Sequence, residues 1–100
     1  MTTNNHLQYA KTVLTAETLK LINKPPYNHY GWKILDRWAY NSPRELKELE
    51  TQGELVLLSR LLEQQQLEQD ALTTTQALEA LATGTVPHEI LAENEIATEL

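Results

Sequence analysis

The sequence predicts an all-α protein: a small single-domain bundle of four to six helices, with a central helix or kinked helix pair near residues 43–72. Three observations lead there. Asn41-Ser42-Pro43-Arg44-Glu45-Leu46 reads as a helix start, with a capping serine, a proline at the first helical position and a glutamate able to reach back for an orphan amide. Leucines recur at helical spacing from Leu46 onward. Only 3 of the 100 residues are glycine, so few positions favour a turn over continued helix.

In chain order, Leu7, Ala10, Leu14 and Leu21 share one helical face with Tyr9 and Val13 beside them, which predicts a first helix from about His6 to Ile22. Thr15 and Thr18 are its candidate interruptions. Pro25-Pro26 ends it, because neither residue donates an amide and each restricts its predecessor. The run Pro25-Pro26-Tyr27-Asn28 misses the Pro-Pro-x-Tyr pattern of WW-domain ligands and reads as a rigid turn. Five of the six aromatic residues then follow between Tyr27 and Tyr40. On a helix from Trp32 to Tyr40, the residues Trp32, Ile34, Leu35, Trp38 and Ala39 cover an arc of about 160°, with Lys33, Asp36, Arg37 and Tyr40 on the remainder. The two tryptophans are expected to anchor the core against the leucine-rich helix, since aromatic side chains bury the most area per residue.

A helix continuing from Ser42 at about 100° per residue places Leu46, Leu49, Gly53, Val56, Leu57, Leu61, Leu67 and Ala71 on one stripe, interrupted by Arg60 and Gln64. Leu55, Leu58 and Leu62 point the other way. The segment is therefore apolar on two faces, one of them a core and the other a candidate seam for self-association. Gly53 costs an interior helix roughly 1 kcal/mol against alanine and suits a helix end equally well. The stretch is thus either two helices, about 43–51 and 54–72, or one helix kinked at Gly53. Thr73-Thr74-Thr75 offers caps to a short helix over Gln76 to Ala82, which Gly84 terminates, and Pro87 opens a last one through Ile90 and Leu91. Residues 1–92 form the expected domain. Residues 93–100 carry Glu93, Glu95 and Glu99 with only Ile96 and Leu100 as apolar contacts beyond Ala92, and are expected to fray and to be dispensable.

The net charge of −6 divides unevenly. Residues 1–47 hold seven Lys and Arg against Glu17, Asp36 and Glu45, a net of +4, whereas residues 48–100 hold Arg60 against eleven acids, a net of −10. Such asymmetry fits two surfaces with different partners, or two halves that attract each other. The absence of cysteine excludes disulfides, thiolate metal sites and a thiol nucleophile, and is compatible with a reducing, cytoplasmic setting. The opening residues show neither the basic nor the apolar region of a secretory leader, and no apolar run spans a bilayer, so no membrane partner is expected.

Catalytic patterns are missing. Ser42 and Ser59 lack the glycines of a nucleophile elbow, and Gly31, Gly53 and Gly84 stand too far apart for a phosphate loop. His6, His29 and His88 are scattered, and His88-Glu89 has no second histidine at zinc-binding spacing. No catalytic, metal or cofactor-binding residue is assigned. Tyrosine and arginine dominate interface hot spots, and they cluster once, so the expected partner-binding residues are Tyr30, Lys33, Arg37, Tyr40 and Arg44. The expected function is a non-enzymatic protein–protein interaction module, such as a small adaptor, inhibitor or assembly factor, that also forms a homodimer through Leu55, Leu58 and Leu62. One alternative is a nucleic-acid-binding regulator, with Lys20, Lys24, Lys33, Arg37, Arg44 and Lys47 interleaved among aromatics. Another is an acidic mimic of nucleic acid that blocks a basic site through residues 48–100.

Overall fold

In the computed structural model, which describes residues 7–100, short polar side chains set the starts of three helices. Thr15 Oγ1 accepts from the Thr18 amide at 3.3 Å, Asn28 Oδ1 from the Tyr30 amide at 3.0 Å, and Thr74 Oγ1 from the Ala77 amide at 3.0 Å. These caps open α1 (Ala16–Ile22), α2 (His29–Asn41) and α5 (Thr75–Ala82). First-turn prolines open α3 (Pro43–Gln52) and α6 (Pro87–Glu93), while α4 (Glu54–Leu72) begins directly after Gly53. A 3-10 turn over Ala10–Thr12 completes the regular structure, and no strand occurs among the described residues. The protein is all-α, with six α-helices among the described residues.

Several local expectations give way to tertiary contacts. The continuous first helix from His6 is not formed, and His6 itself lies outside the described residues. The Asp36 carboxylate of α2 accepts from the Tyr9 and Ala10 amides at 2.7 and 2.8 Å, and Glu50 of α3 accepts from the Thr15 amide at 2.8 Å. Two carboxylates from distant helices thus cap the segment where it would otherwise have run on. Ser42 makes no side-chain cap to α3. Its amide closes α2 on Trp38 O at 2.7 Å, and its backbone, at φ −140° and ψ 57°, serves as the joint between two helices. Gly53 separates α3 from α4 as two helices, with φ at 140°, a value that L side chains rarely adopt.

The core sits where α2, α3 and α4 meet. Ile34, Leu35, Trp38, Leu46, Leu57 and Leu61 are buried there, and Leu7, Ala10, Leu14 and Ile22 close over them. Each wholly buried leucine contributes roughly 1.5–3 kcal/mol. Trp38 is fully enclosed, while Trp32 packs at the edge and donates from Nε1 to Ile22 O at 2.6 Å, tying α2 to the end of α1. A second cluster of Leu72, Ala77, Ile90 and Leu91 joins the end of α4 to α5 and α6.

α4 does not bury the stripe counted through from Leu46. Its inward face is Leu57, Leu61, Gln64, Gln65, Glu68 and Leu72, while Leu55, Val56 and Leu67 are exposed. The buried amides have partners. Gln65 donates to Pro26 O at 3.0 Å and accepts from the Asn28 amide at 3.2 Å, clasping the turn that leads into α2. Its carboxamide also sits so close to Gly31 that a Cβ there would collide with it. Gln64 donates to Ala97 O at 2.7 Å.

The acidic C-terminal segment, expected to fray, is instead laid against the body. Thr98 O accepts from Arg37 Nε at 2.9 Å and from Trp38 Nε1 at 3.0 Å, Asn41 Nδ2 donates to Glu99 at 3.2 Å, and Leu100 packs against the main core. Low apolar content did not free this segment, because buried donors on α2 and α4 use its carbonyls as acceptors.

Candidate functional site

α2 presents His29, Tyr30, Lys33 and Arg37 toward one cleft, and their spacing puts them along a single side of the helix. Glu68 and Leu72 of α4, Leu81 of α5 and Pro87, His88 and Leu91 of α6 complete the lining, around a cavity of about 420 Å³. That volume is in the range of small-ligand and side-chain recognition sites. The apolar part comes from leucines on three helices, and it exists because the second cluster does not cover Leu81 completely. Along the rim, the rings of His29 and Tyr30 lie 4.2 Å apart and tilted by 34°.

The charges of the cleft are largely spoken for. Arg37 grips Glu68 through both terminal nitrogens, Nη1 to Oε1 at 3.2 Å and Nη2 to Oε2 at 2.6 Å, and the Glu68 side chain is only 5% exposed. Gln64 Nε2 adds a bond to Glu68 Oε2 at 2.7 Å. A buried carboxylate with this many donors is compensated and not available to attract a ligand. Lys33 is exposed and forms no ion pair among the described residues, so it is the cation that the cleft can offer.

Of the residues predicted to bind a partner, the structure brings Tyr30, Lys33 and Arg37 together and leaves two aside. Tyr40 is 66% exposed, with its ring 4.8 Å from that of Tyr9, and Arg44 is exposed in the first turn of α3; neither lines the cleft. Arg37 is half-buried and occupied by Glu68 and Thr98, which corrects its reading as a free surface cation. The predicted self-association residues separate too. Leu55 is 77% exposed, but Leu58 packs against the core and Leu62 is half-buried, so the three do not form one open face.

Sequence reasoning missed His29, Leu72, Leu81, Pro87, His88 and Leu91 as lining residues, because the convergence of α2, α4, α5 and α6 on one cleft leaves no local trace. Glu68 had a usable signal: it follows Gln64 by one helical turn on the stripe shared with Leu57 and Leu61. Displaced titrations occur away from the cleft. Partial burial pushes the Glu50 carboxyl up, but the Lys47 ammonium, the Thr15 amide and the hydroxyls of Thr18 and Thr15 outweigh it and hold the group at about 2. Burial raises the Tyr27 phenol, which donates to Leu58 O at 3.0 Å.

Among the described residues no three His, Asp or Glu side chains are grouped to hold a metal ion, and no helix is long and apolar enough to cross a membrane. The chain matches no protein-family model, no curated protein and no solved structure. Fold and cleft together define a small all-α protein with one recess that combines leucines, imidazoles, a tyrosine and a lysine.

Proposed function

We propose that this protein is a non-enzymatic interaction module that receives an acidic amphipathic segment of another protein in the cleft between α2 and α6. The observation that supports this reading is the meeting of Leu72, Leu81 and Leu91 with the unpaired Lys33 and the Tyr30 ring in one recess. An apolar side chain of the partner would displace water from Leu81 and the uncovered edges of Leu72 and Leu91, and a partner carboxylate would sit on Lys33. Tyr30 and the two imidazoles add rigid contact area with little entropy to lose. Aromatic anchors beside an apolar pocket are where interface energy concentrates.

The test is affinity capture from the native host with three baits: the natural chain, Lys33→Glu and Leu81→Glu. A partner held by the first should be weakened at least tenfold by each of the others; Lys33→Glu should melt within about 3 °C of the natural chain because Lys33 is exposed, and Leu81→Glu counts only with its helical signal retained, since Leu81 packs on the second cluster. A partner that survives both changes sinks the assignment of this cleft. Arg37 is unsuited to the test, because altering it would strand Glu68.

A second reading has its own support. Lys11, Lys20, Lys24, Lys33 and Arg44 are exposed and make no ion pair among the described residues, which leaves five cations for a phosphate backbone. Mobility shifts at 50 and 200 mM salt separate the two readings. A nucleic-acid complex would weaken by orders of magnitude across that range for every sequence alike.

A further inference from the structure

We propose that the C-terminal arm, residues 95–100, exchanges between two copies of this chain, each arm lying in the groove between α2 and α4 of the other copy.

The arm is held almost wholly by groups outside itself. Arg37 Nε and Trp38 Nε1 donate to Thr98 O at 2.9 and 3.0 Å, and Gln64 Nε2 donates to Ala97 O at 2.7 Å. Asn41 Nδ2 reaches Glu99 at 3.2 Å, and Arg37 lies 3.8 Å from the same carboxylate oxygen. Leu100 adds an apolar contact to the main core, and Ile96 adds one to the second cluster, which an exchanged arm meets on the other copy. The buried donors read main-chain carbonyls, so an identical arm from a second copy satisfies every one of these contacts. Exchange of an identical element changes only the hinge that carries it.

That hinge is strained. α6 ends in a Schellman closure, in which the Glu95 amide bonds Ala92 O at 3.0 Å and the Ile96 amide bonds Leu91 O at 3.0 Å. α5 ends in the same way, with the Gly84 amide on Leu81 O at 3.2 Å and the Thr85 amide on Ala80 O at 2.9 Å. The difference is the residue at the left-handed position. At α5 it is glycine at φ 106°, whereas at α6 it is Glu95 at φ 58°, the one non-glycine residue with positive φ among the described residues. A left-handed conformation costs a residue with a Cβ roughly 1–2 kcal/mol. Straightening the chain at Asn94-Glu95 releases that strain, the two closure amides turn to water, and the arm is free to reach a neighbour.

The natural chain has no cysteine, which makes a direct test clean. Asn41→Cys and Glu99→Cys are made separately, one of them isotopically heavy, mixed at about 1 mM and mildly oxidised. Exchange predicts a disulfide joining position 41 of one copy to position 99 of the other, with a yield that rises with concentration. Disulfides confined to 41–41 and 99–99 pairs, or none at all, overturn the proposal. Glu95→Pro provides the second measurement, since proline cannot adopt positive φ and opens the hinge in every copy. It should double the mass by light scattering with the helical signal retained, while Glu95→Gly should lower the 41–99 yield about fivefold by relieving the closed form. A monomeric Glu95→Pro with an unchanged melt also overturns the proposal. The cysteine mixture decides the matter even if that variant does not fold.

Discussion

Arg37 answers to two demands at once, a buried carboxylate on α4 and the carbonyl of Thr98. Removing it leaves Glu68 charged and uncompensated at a nearly closed site, so Arg37→Ala should cost about 3 kcal/mol, the low end for a broken buried pair because the arginine itself is partly exposed. Thermal unfolding would show this as a drop of more than about 10 °C for a domain of this size. The double change Arg37→Met with Glu68→Leu should recover part of the loss, since no charge remains unpaired although Gln64 Nε2 loses one acceptor. Glu50 makes a pH-dependent contribution. Its carboxyl titrates at about 2 in the fold against an ordinary 4.5, so the folded state favours the ionised form. Its stabilisation is complete above pH 4.5 and disappears as the pH falls toward 2. Melting temperatures taken across that window should fall less steeply for Glu50→Gln than for the natural chain.

α3 and α4 show what an element's own residues decide and what they leave to others. The break at Gly53 and the starts at Pro43 and Pro87 are legible, because proline and glycine act on the backbone of their own turn. Gly53→Ala would force a side chain into φ 140° and should cost about 1–3 kcal/mol, read from the denaturant midpoint. The all-α architecture and the placing of Lys33 and Arg37 together on the polar side of α2 follow equally from periodicity. The inward turn of Gln64, Gln65 and Glu68 does not. Those positions look like solvated surface until their partners are known, and the partners lie about 30 to 40 residues away in the chain: Pro26, Asn28, Arg37 and Ala97. The unfilled cap at Ser42 and the lost start of the first helix have the same origin, since long-range carboxylates and helix joints displaced the local rule.

At the scale of the whole molecule, α4 holds the chain together by its polar side as much as by its leucines. Deleting residues 94–100 removes the acceptors of Arg37 Nε, Trp38 Nε1 and Gln64 Nε2. At roughly 1–3 kcal/mol for each stranded donor, the truncated chain should lose at least about 3 kcal/mol and melt more than 10 °C lower. A melt within about 3 °C of the full chain would show that the arm contributes little and that water replaces it. Gly31 carries a different kind of consequence. Its missing methyl lets the Gln65 carboxamide lie against the first turn of α2. These two helices supply six of the ten residues around the cleft, yet Gly31 itself is not one of them. An alanine at position 31 would push the Gln65 carboxamide aside and off Pro26 and Asn28. The His29–Tyr30 end of the recess is thereby steadied from behind its wall, because Gln65 holds the turn from which those two residues start.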